Sequence, residues 1–351
     1  MTYIRKATVF LLALVYCVYA TAETKVTGYA SIVAGKTAGD SQFLADYPKA
    51  GIYENEISFK PDTSAGIQIS AELGPGLDFI TQLASHGARD FATEAGWAYL
   101  SYEIRPELIF HLGRKALPLY YYSDSFDIGY TYHWIRPPAD NYTWQISHYN
   151  GASISYIPQL TNWDASIMVY GGREDSEDND LLSLLSGASV DETWKNMIGL
   201  VVESSYNWLD VRLSYLHGLV DRDVNNIPTK RNVAQDFYGA SVNLDFNPFK
   251  VFSEYNEYRR DLDSNFINTG MYSISYRIGD FTPHVTRSRF TQHVRGKSGD
   301  EAHNTTSVGV RWDVANSLAL KIQYDKVEDE GVNIPVLGNS SVYSVAVDLV
   351  F

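Results

Sequence analysis

Residues that could do chemistry are present in this sequence, but few of them stand at spacings that catalysis or metal binding requires. The eight histidines form no His-Glu-x-x-His motif and no zinc spacing. Ser147 and His148 are a nucleophile beside a base, yet adjacent residues of a strand point to opposite faces. Residues 261–265 begin like a calcium-binding loop, but Phe266 stands where that loop needs Gly. We therefore expect no enzyme activity, no metal and no cofactor.

Apart from catalysis and metal binding, the charged residues could act through their electric charge. An acidic run covers residues 173–180, and basic residues recur at alternate positions in the second half of the chain. A run of like charges is most often a solvated loop, with a loose divalent-cation site as the alternative. What these charges do depends on the elements that position them.

Composition excludes several classes of protein. The 351 residues include 28 basic and 42 acidic side chains, and the resulting net charge of −14 argues against nucleic acid as a partner. Aromatic residues make up 14% of the chain, which excludes disorder. A mean hydropathy of −0.21 and a single Cys exclude a bundle of membrane helices and a disulfide scaffold.

The first 22 residues have the composition of a secretory signal peptide. Arg5 and Lys6 precede an apolar stretch, and Ala20-Thr21-Ala22 forms a cleavage site. The apolar stretch is too short to span a membrane. Tyr16 stands before Cys17 where a lipoprotein signal needs a small residue. We expect cleavage after Ala22, which leaves residues 23–351 as one exported domain without cysteine.

Apolar and small or polar residues alternate through the rest of the chain with the period of β-strands. In the last segment Tyr343, Val345, Val347, Leu349 and Phe351 share one face, while Ser344, Ala346 and Asp348 share the other. The same alternation occurs at residues 65–73, 209–215, 272–278, 307–314 and 318–325. A soluble β-sandwich shows this pattern as well.

The connections between these segments distinguish a barrel from a sandwich. Short turns are expected near residues 74–76, 105–106, 158–162, 207–208, 247–248, 279–280 and 315–317. They alternate with long polar stretches near residues 35–52, 87–93, 115–148, 172–193, 218–234, 261–268, 293–303 and 329–339. Outer-membrane barrels have such alternating short and long connections.

Fifteen connections predict an all-β fold, a 16-stranded antiparallel transmembrane β-barrel with long external loops. We take residues 51–73 as one long strand, because a hairpin there would give an odd number of strands. Sixteen strands enclose an aqueous channel.

Tyr and Trp cluster at the predicted strand ends, where membrane barrels carry interfacial aromatic girdles. The set is Trp97, Tyr99, Tyr102, Trp163, Tyr206, Trp208, Tyr215, Tyr276, Trp312, Tyr324 and Tyr343.

These features together resemble the Gram-negative general porins of gammaproteobacteria. The closing strand that ends on Phe351 is similar to the porin C-terminal strand. Residues 110–118, with Gly113-Arg114 and Pro118, resemble the entry into the porin third loop. The tract 119–138, LYYYSDSFDIGYTYHWIRPP, resembles a subgroup of the family, and it contains Arg136. The Pro-Glu-Phe-Gly-Gly motif of enterobacterial porins is absent from the sequence.

The resemblance implies a homotrimer, a third loop folded into the barrel, and a terminal Phe351 read by the barrel-assembly machinery. The stretch 115–148 is rich in aromatics, unlike an exposed loop. Folded inward, it would place Asp124 and Asp127 in the pore with Arg114 at its base and Arg136 in the constriction. The alternative is that the two Asp residues cap turns.

Basic residues on the predicted lumen faces would form the opposite wall of the constriction. They are Arg212, Arg277, Arg311 and Lys321, with Arg287 and Arg289 on a less defined face of residues 281–291. Charged rings tune the selectivity of a pore. Alternatively, each Arg pairs with a cross-strand acid.

The sequence thus predicts an outer-membrane porin, a water-filled channel for passive diffusion of small hydrophilic solutes and ions. Its expected surroundings are lipopolysaccharide and outer-membrane lipid. A solute-selective channel on the same barrel is the alternative, followed by a barrel enzyme or a surface adhesin.

Overall fold

The computed structural model describes residues 23–46, 48–261, 265–293, 301–331 and 338–351. The predicted signal peptide lies outside these residues, as do parts of the loops predicted at 261–268, 293–303 and 329–339.

Sixteen of the described strands form one closed antiparallel barrel, which confirms the predicted fold class. Each strand pairs with its neighbour in the chain, and the first barrel strand pairs with the last. The strands are β1 (Thr24–Thr37), β4 (Ser64–Gly74), β5 (Leu77–His86), β6 (Thr93–Arg105), β7 (Leu108–Ala116), β8 (His148–Tyr156), β9 (Asp164–Ser176), β10 (Val190–Tyr206), β11 (Leu209–Val224), β12 (Ile227–Phe246), β13 (Phe249–Arg260), β14 (Asn265–Tyr276), β15 (Phe281–His293), β16 (Glu301–Ala315), β17 (Leu318–Asp329) and β18 (Ser340–Val350).

The first loop holds two further strands and corrects the prediction for residues 51–73. β2 (Phe43–Asp46) and β3 (Gly51–Tyr53) pair with each other as a small separate sheet. Residues 51–73 are therefore not one strand, and the barrel resumes only at Ser64. The number of barrel strands stays even because β1 pairs directly with β4.

The end of the chain closes the barrel. β1 and β18 pair in register from Tyr29 and Val350 to Thr37 and Val342. Phe351 extends the ladder by exchanging backbone hydrogen bonds of 2.8 and 3.0 Å with Gly28. A Cβ atom at Gly28 would lie 2.3 Å from the Phe351 ring, so only glycine leaves room for the terminal aromatic.

The two faces of the strands differ as the alternation predicts. The outward residues include many exposed apolar side chains, among them Ile67, Leu213, Tyr272, Ile274, Val308, Ile322, Tyr343 and Val345. The residues between them, such as Ser273, Ser307, Gln323, Ser344 and Asp348, are buried. A barrel with an apolar exterior and polar residues inside fits a membrane channel. No helix of the described residues is long and apolar enough to cross a membrane.

The aromatic residues divide between the two faces. Trp163 stacks on Tyr206 at 4.9 Å and Phe281 on Trp312 at 5.6 Å, beside short turns. Trp97 and Tyr99 depart from the predicted girdle. Tyr99 lies on the inward face of the barrel together with His111, whereas the next residue, Leu100, points outward.

All seven short turns lie where they are predicted. The stretch 218–234 was predicted as a loop, but β11 and β12 continue through it and are joined by a two-residue turn. Asn225 and Asn226 occupy that turn with φ of 49° and 61°, a conformation that Asn tolerates better than most residues. The fourth loop carries a short helix, α1 (Asp180–Ser186), capped by Asn179.

Candidate pore constriction

The loop between β7 and β8, residues 117–147, lies inside the barrel. It contains two short 3₁₀ turns, Ser123–Ser125 and Gly129–Thr131. Its apolar side chains pack with inward residues of β8–β14, so that they avoid water. The buried loop members of this cluster are Leu117, Leu119, Tyr120, Tyr122, Tyr132, Trp134, Tyr142, Trp144 and Ile146.

Residues of β11 and β13 hold both arms of the loop. Arg212 donates to the carbonyl oxygen of Pro118 at 2.8 Å and pairs with Glu203. The buried Glu254 carboxylate accepts from the Tyr121 backbone N–H at 2.9 Å and from the Asn141 amide at 2.8 Å. One carboxylate thus ties together two segments twenty residues apart.

Arg311 and Lys321 hold the middle of the loop. Arg311 donates to the carbonyl oxygens of Tyr130 and Tyr132 at 2.6 and 2.9 Å. Lys321 donates to the carbonyl oxygens of Gly129 and Trp134 at 2.7 and 2.6 Å.

Lys321 also pairs with Asp348 at 2.7 Å, and both side chains are buried. Arg311 and Lys321 therefore lie on the lumen face, as the alternation places them, but they bind the loop rather than face open water.

Arg136 is buried between two carboxylates. Its guanidinium lies 2.6 Å from both Asp62 and Asp325, and it donates to Ser344 at 2.8 Å. Burial alone would lower the pKa of Arg136, but these two carboxylates raise it above its usual value. The permanently charged side chain joins the third loop to the first loop and to β17.

Asp127 lies near Arg136, beside β5 and the first loop. Its carboxylate is 3.0 Å from Nε2 of His86 and 3.4 Å from Nζ of Lys49. Burial would raise the pKa of Asp127, but Lys49 and His86 hold it well below its usual range. Asp127 is thus an ionised residue with nearby basic partners.

Asp124 differs from Asp127 because it is exposed to the lumen. Among the described residues it has no ion pair within 4.0 Å, yet its charge acts on Lys115, Tyr99 and Tyr149. Its position deep in the barrel raises the pKa of Asp124, although Arg212 and Lys115 act in the opposite direction. The exposure is to water confined in the lumen, where screening is weaker than in bulk.

Lys115 lies on the inward face of β7, near enough to Asp124 for their charges to interact, and the space between the two side chains is called the gap below. Its Nζ atom is 3.3 Å from Nδ1 of His111 and 4.9 Å from the centre of the Tyr99 ring. The gap between Asp124 and this wall therefore carries a negative group on one side and a positive group on the other. Charged side chains that line a pore tune its selectivity.

Four predicted residues neither hold the third loop nor lie at the gap, and Arg114 and Arg277 are two of them. Arg114 pairs with Glu174 of β9 at 2.8 Å and donates to the Ala95 carbonyl oxygen. Arg277 follows β14 in a short turn and is exposed there. These two residues do not contact the third loop.

Arg287 and Arg289 lie on the outer face of β15, so their placement in the pore was wrong. The alternating residues Thr286 and Ser288 bond with Trp134 and Asp140 of the third loop. Arg287 instead reaches Glu328 at 3.1 Å on the outer surface, and Arg289 reaches Glu330 at 3.7 Å.

The acidic run 173–180 is only partly solvated. Glu174 is buried against Arg114, and Asp180 pairs with Arg89 at 2.7 Å. Asp175, Glu177 and Asp178 are exposed, as predicted for the whole run.

Ser147 and His148 do contact each other, since Oγ and Nδ1 are 2.9 Å apart. The expectation of opposite faces was wrong because Ser147 precedes β8. Among the described residues no carboxylate lies within ion-pair distance of His148, and no group of three His, Cys, Asp or Glu could hold a metal.

Sequence reasoning missed Lys115 and Glu254. Lys115 could have been found, because residues 111, 113 and 115 share one face and Arg114 the other. The role of Glu254 has no signal in the sequence, because its partners are distant in the chain.

Solved structures with the same fold support this description. The trimer form of the in-vitro folded OmpT of Vibrio cholerae is similar with a TM-score of 0.57 and 10% identity, over 93% of this chain and 99% of that one. An anion-selective porin from Comamonas acidovorans gives 0.59 and 14%, over 94% and 100%. OmpF of Salmonella typhi, in complex with daunomycin, gives 0.60 and 11%, over 94% and 98%.

No curated protein sequence matches this chain significantly. The model of the Gram-negative porin family matches residues 7–348, nearly the whole chain. The closed barrel, its inward third loop and this match together show that the chain belongs to the Gram-negative porin family and forms an outer-membrane channel.

Proposed function

We propose that the channel passes small hydrophilic solutes and ions by passive diffusion between Asp124 and the wall formed by Tyr99, His111 and Lys115. The observation that carries this proposal is the exposure of Asp124, in a loop whose other acidic residues are bonded to the barrel or to the first loop. The loop contacts β10–β18 and the β4–β5 side, so the gap beside β6–β8 is the remaining route.

The proposed channel is not an enzyme. Several of its charged lumen residues hold the loop, and in the part of the chain that the structure describes no carboxylate lies within ion-pair distance of His148 to orient it as a base. A nucleophile needs such an oriented base to react at neutral pH.

We further propose a homotrimer whose subunits meet along the short side of the barrel. β7 and β8 have nine residues each, whereas β12 has 20. The outer face of the short side carries exposed Leu100, Leu112 and Ile154. A similar structure is described in a trimer form. The mass of the detergent-solubilised complex, measured by native mass spectrometry, tests this state.

Lipid and assembly partners belong to the same proposal. Arg287, Arg289 and Lys326 lie on the outer face at the loop end of the strands, where they could bind phosphate groups of lipopolysaccharide. Phe351 is 67% exposed on the outer surface, where the assembly machinery could read it after cleavage of the signal peptide and export.

Single-cysteine variants test the route. The chain from residue 23 onward has no cysteine, so Asp124→Cys introduces a unique thiol. A bulky thiol reagent should then reduce the single-channel conductance in planar bilayers. Glu177→Cys in the exposed part of the fourth loop is the matched control. Unchanged conductance of the fully modified Asp124→Cys channel would place the route elsewhere.

A further inference from the structure

We infer that a cavity beside the fourth-loop helix binds a small carboxylate that carries an apolar ring. The cavity lies between α1, residues 143–145 of the third loop and residues of β11–β15, and it is called the fourth-loop cavity below. Asp124 and Lys115 do not belong to its lining, so this site is separate from the gap through which solutes are proposed to pass. The inference therefore does not depend on diffusion through the channel.

The fourth-loop cavity lies at the loop end of the barrel. Arg222 and Lys230 belong to its lining, and they pair near the two-residue turn that joins β11 and β12. Leu185 of α1 also lines the cavity and is 46% exposed. A solute can therefore enter from the solvent around the loops.

The cavity is large enough for a ring with one substituent. Its volume is about 210 Å³. An apolar cavity of about 150 Å³ in another protein binds benzene. The additional volume accommodates a carboxylate group.

One part of the lining is apolar. Leu182 of α1 and Ile267 of β14 are half-buried there. Tyr258 and Phe290 are buried, and Tyr258 stacks on Trp144 of the third loop at 4.8 Å. A ligand ring among these side chains would release water from apolar surface, which stabilises the complex.

The other part of the lining is basic. Arg222 and Lys230 lie opposite each other in the ladder of β11 and β12, and like charges in such positions repel each other. Arg222 pairs with the buried Glu192 at 2.5 Å, and the Arg260 guanidinium lies 2.7 Å from the side-chain amide of Gln235. The described residues of the lining include no Asp or Glu. An anion in the cavity would therefore reduce the repulsion between Arg222 and Lys230.

The two parts together select the class of ligand. A guanidinium presents its N–H groups in a fork that matches a carboxylate. A small inorganic anion would leave Leu182 and Ile267 facing water, and an organic cation would be repelled by the basic residues. A carboxylate with an apolar ring contacts both parts favourably.

Equilibrium dialysis with radiolabelled benzoate tests the proposal. The probe is dialysed against the purified channel in detergent, and micelles without protein supply the blank. Binding should saturate at a single benzoate per chain. Acetate lacks the ring and benzyl alcohol lacks the charge, so each should compete at least about tenfold more weakly than benzoate. Benzylammonium should not compete.

Two arginine variants test the basic part. Arg260→Gln should weaken benzoate binding by about tenfold, because a hydrogen bond between charged groups contributes on that scale. Arg231→Gln is the matched control, since it changes the net charge equally. Arg231 is exposed, pairs with Asp223 and does not belong to the lining. This variant should bind benzoate as the wild type does.

Two neighbouring leucines of α1 test the apolar part. Leu185 belongs to the lining and Leu184 does not, although both are exposed. Leu185→Ser should weaken binding by about threefold, because a partly exposed side chain buries only part of its apolar area on the ligand. Leu184→Ser should leave binding unchanged. Both positions are at the surface, so this pair decides the matter if Arg260→Gln fails to fold.

The possible results distinguish the site from its ligand class. Benzoate binding no higher than in the micelle blank would overturn the site. Equal affinities in Arg260→Gln and Arg231→Gln, or in Leu185→Ser and Leu184→Ser, would place the benzoate elsewhere and overturn it as well. Competition by acetate or benzyl alcohol as strong as that by benzoate would overturn the ligand class. Single-channel conductance is measured separately, so a failure of the proposed diffusion function would not alter these results.

Discussion

The two sides of the lumen use the same residue types for different purposes. On the side of β16–β18, the partly buried Arg311 and the buried Lys321 and Asp348 are bonded to one another or to the third loop. On the side of β6–β8, Lys115 faces the exposed Asp124 across a gap. Charge on the side of β16–β18, the anchored side, fixes the position of the loop. Charge on the side of β6–β8, the open side, acts on the passing ions. The sign of a residue's charge therefore does not reveal its role, whereas its hydrogen-bond partners do.

Arg136→Met should have the largest effect on the anchored side. The substitution leaves Asp62 and Asp325 buried without their shared partner, which costs about 3–5 kcal/mol. The free energy of unfolding, measured by urea titration of the refolded barrel in lipid vesicles, should fall by that amount. Arg259→Met is the control, since Arg259 is 57% exposed beside Glu257 and should cost under about 1 kcal/mol. Similar losses in both variants would show that Arg136 is no anchor.

Arginine substitutions on the anchored side and on the open side should differ in their effect on folding. Ala346 is buried against Val33 and Ile135 of the loop, so Ala346→Arg overpacks this contact and costs about 1–3 kcal/mol. Ser101 lies on the open side and is partly exposed, so Ser101→Arg should be tolerated. The fraction of heat-modifiable barrel after refolding measures both. Equal folding yields would mean that the loop does not fill the β18 side.

The stability of the barrel should also depend on pH through His133. Burial first, and then His284 and nearby Lys and Arg residues, hold the pKa of His133 well below 6.5. The folded state keeps His133 neutral, while the unfolded chain takes up a proton below pH 6.5. Stability should therefore fall as the pH drops below 6.5, by about 1.4 kcal/mol per pH unit for this group.

His133→Asn isolates this contribution. The difference in unfolding free energy between pH 7.5 and pH 5.5 should be smaller in the variant than in the wild type. An identical difference would mean that His133 takes up its proton equally in both states.

The sequence predicted the barrel well because each strand carries its own information. Alternation assigns every residue a face, and the short turns contain Gly, Pro or Asn at the positions where the chain reverses. The error at residues 51–73 arose because a short hairpin in a loop has the same local pattern as a strand. The stretch 218–234 is polar because it extends beyond the apolar belt, and its continued pairing is a tertiary property.

The constriction was less predictable because it depends on contacts between distant residues. Asp124 and Asp127 are three residues apart, but one is exposed and the other meets Lys49 and His86 from other segments. Arg287 was assigned to the wrong face because residues 281–291 carry polar side chains on both faces. Only the contact of Thr286 with Trp134 decides which face is inside.

Reversal potentials in one salt gradient test the central claim that the gap between Asp124 and Lys115 is the selective part of the channel. At about 0.1 M salt, charges beyond roughly 10 Å are largely screened, so groups at the gap should dominate. Asp124→Asn should shift the reversal potential toward anions, and Lys115→Gln should shift it toward cations. Asp127→Asn, and joint neutralisation of the exposed Asp175, Glu177 and Asp178, should each shift it less. A larger shift from Asp127→Asn or from the fourth-loop variant than from Asp124→Asn would contradict the claim.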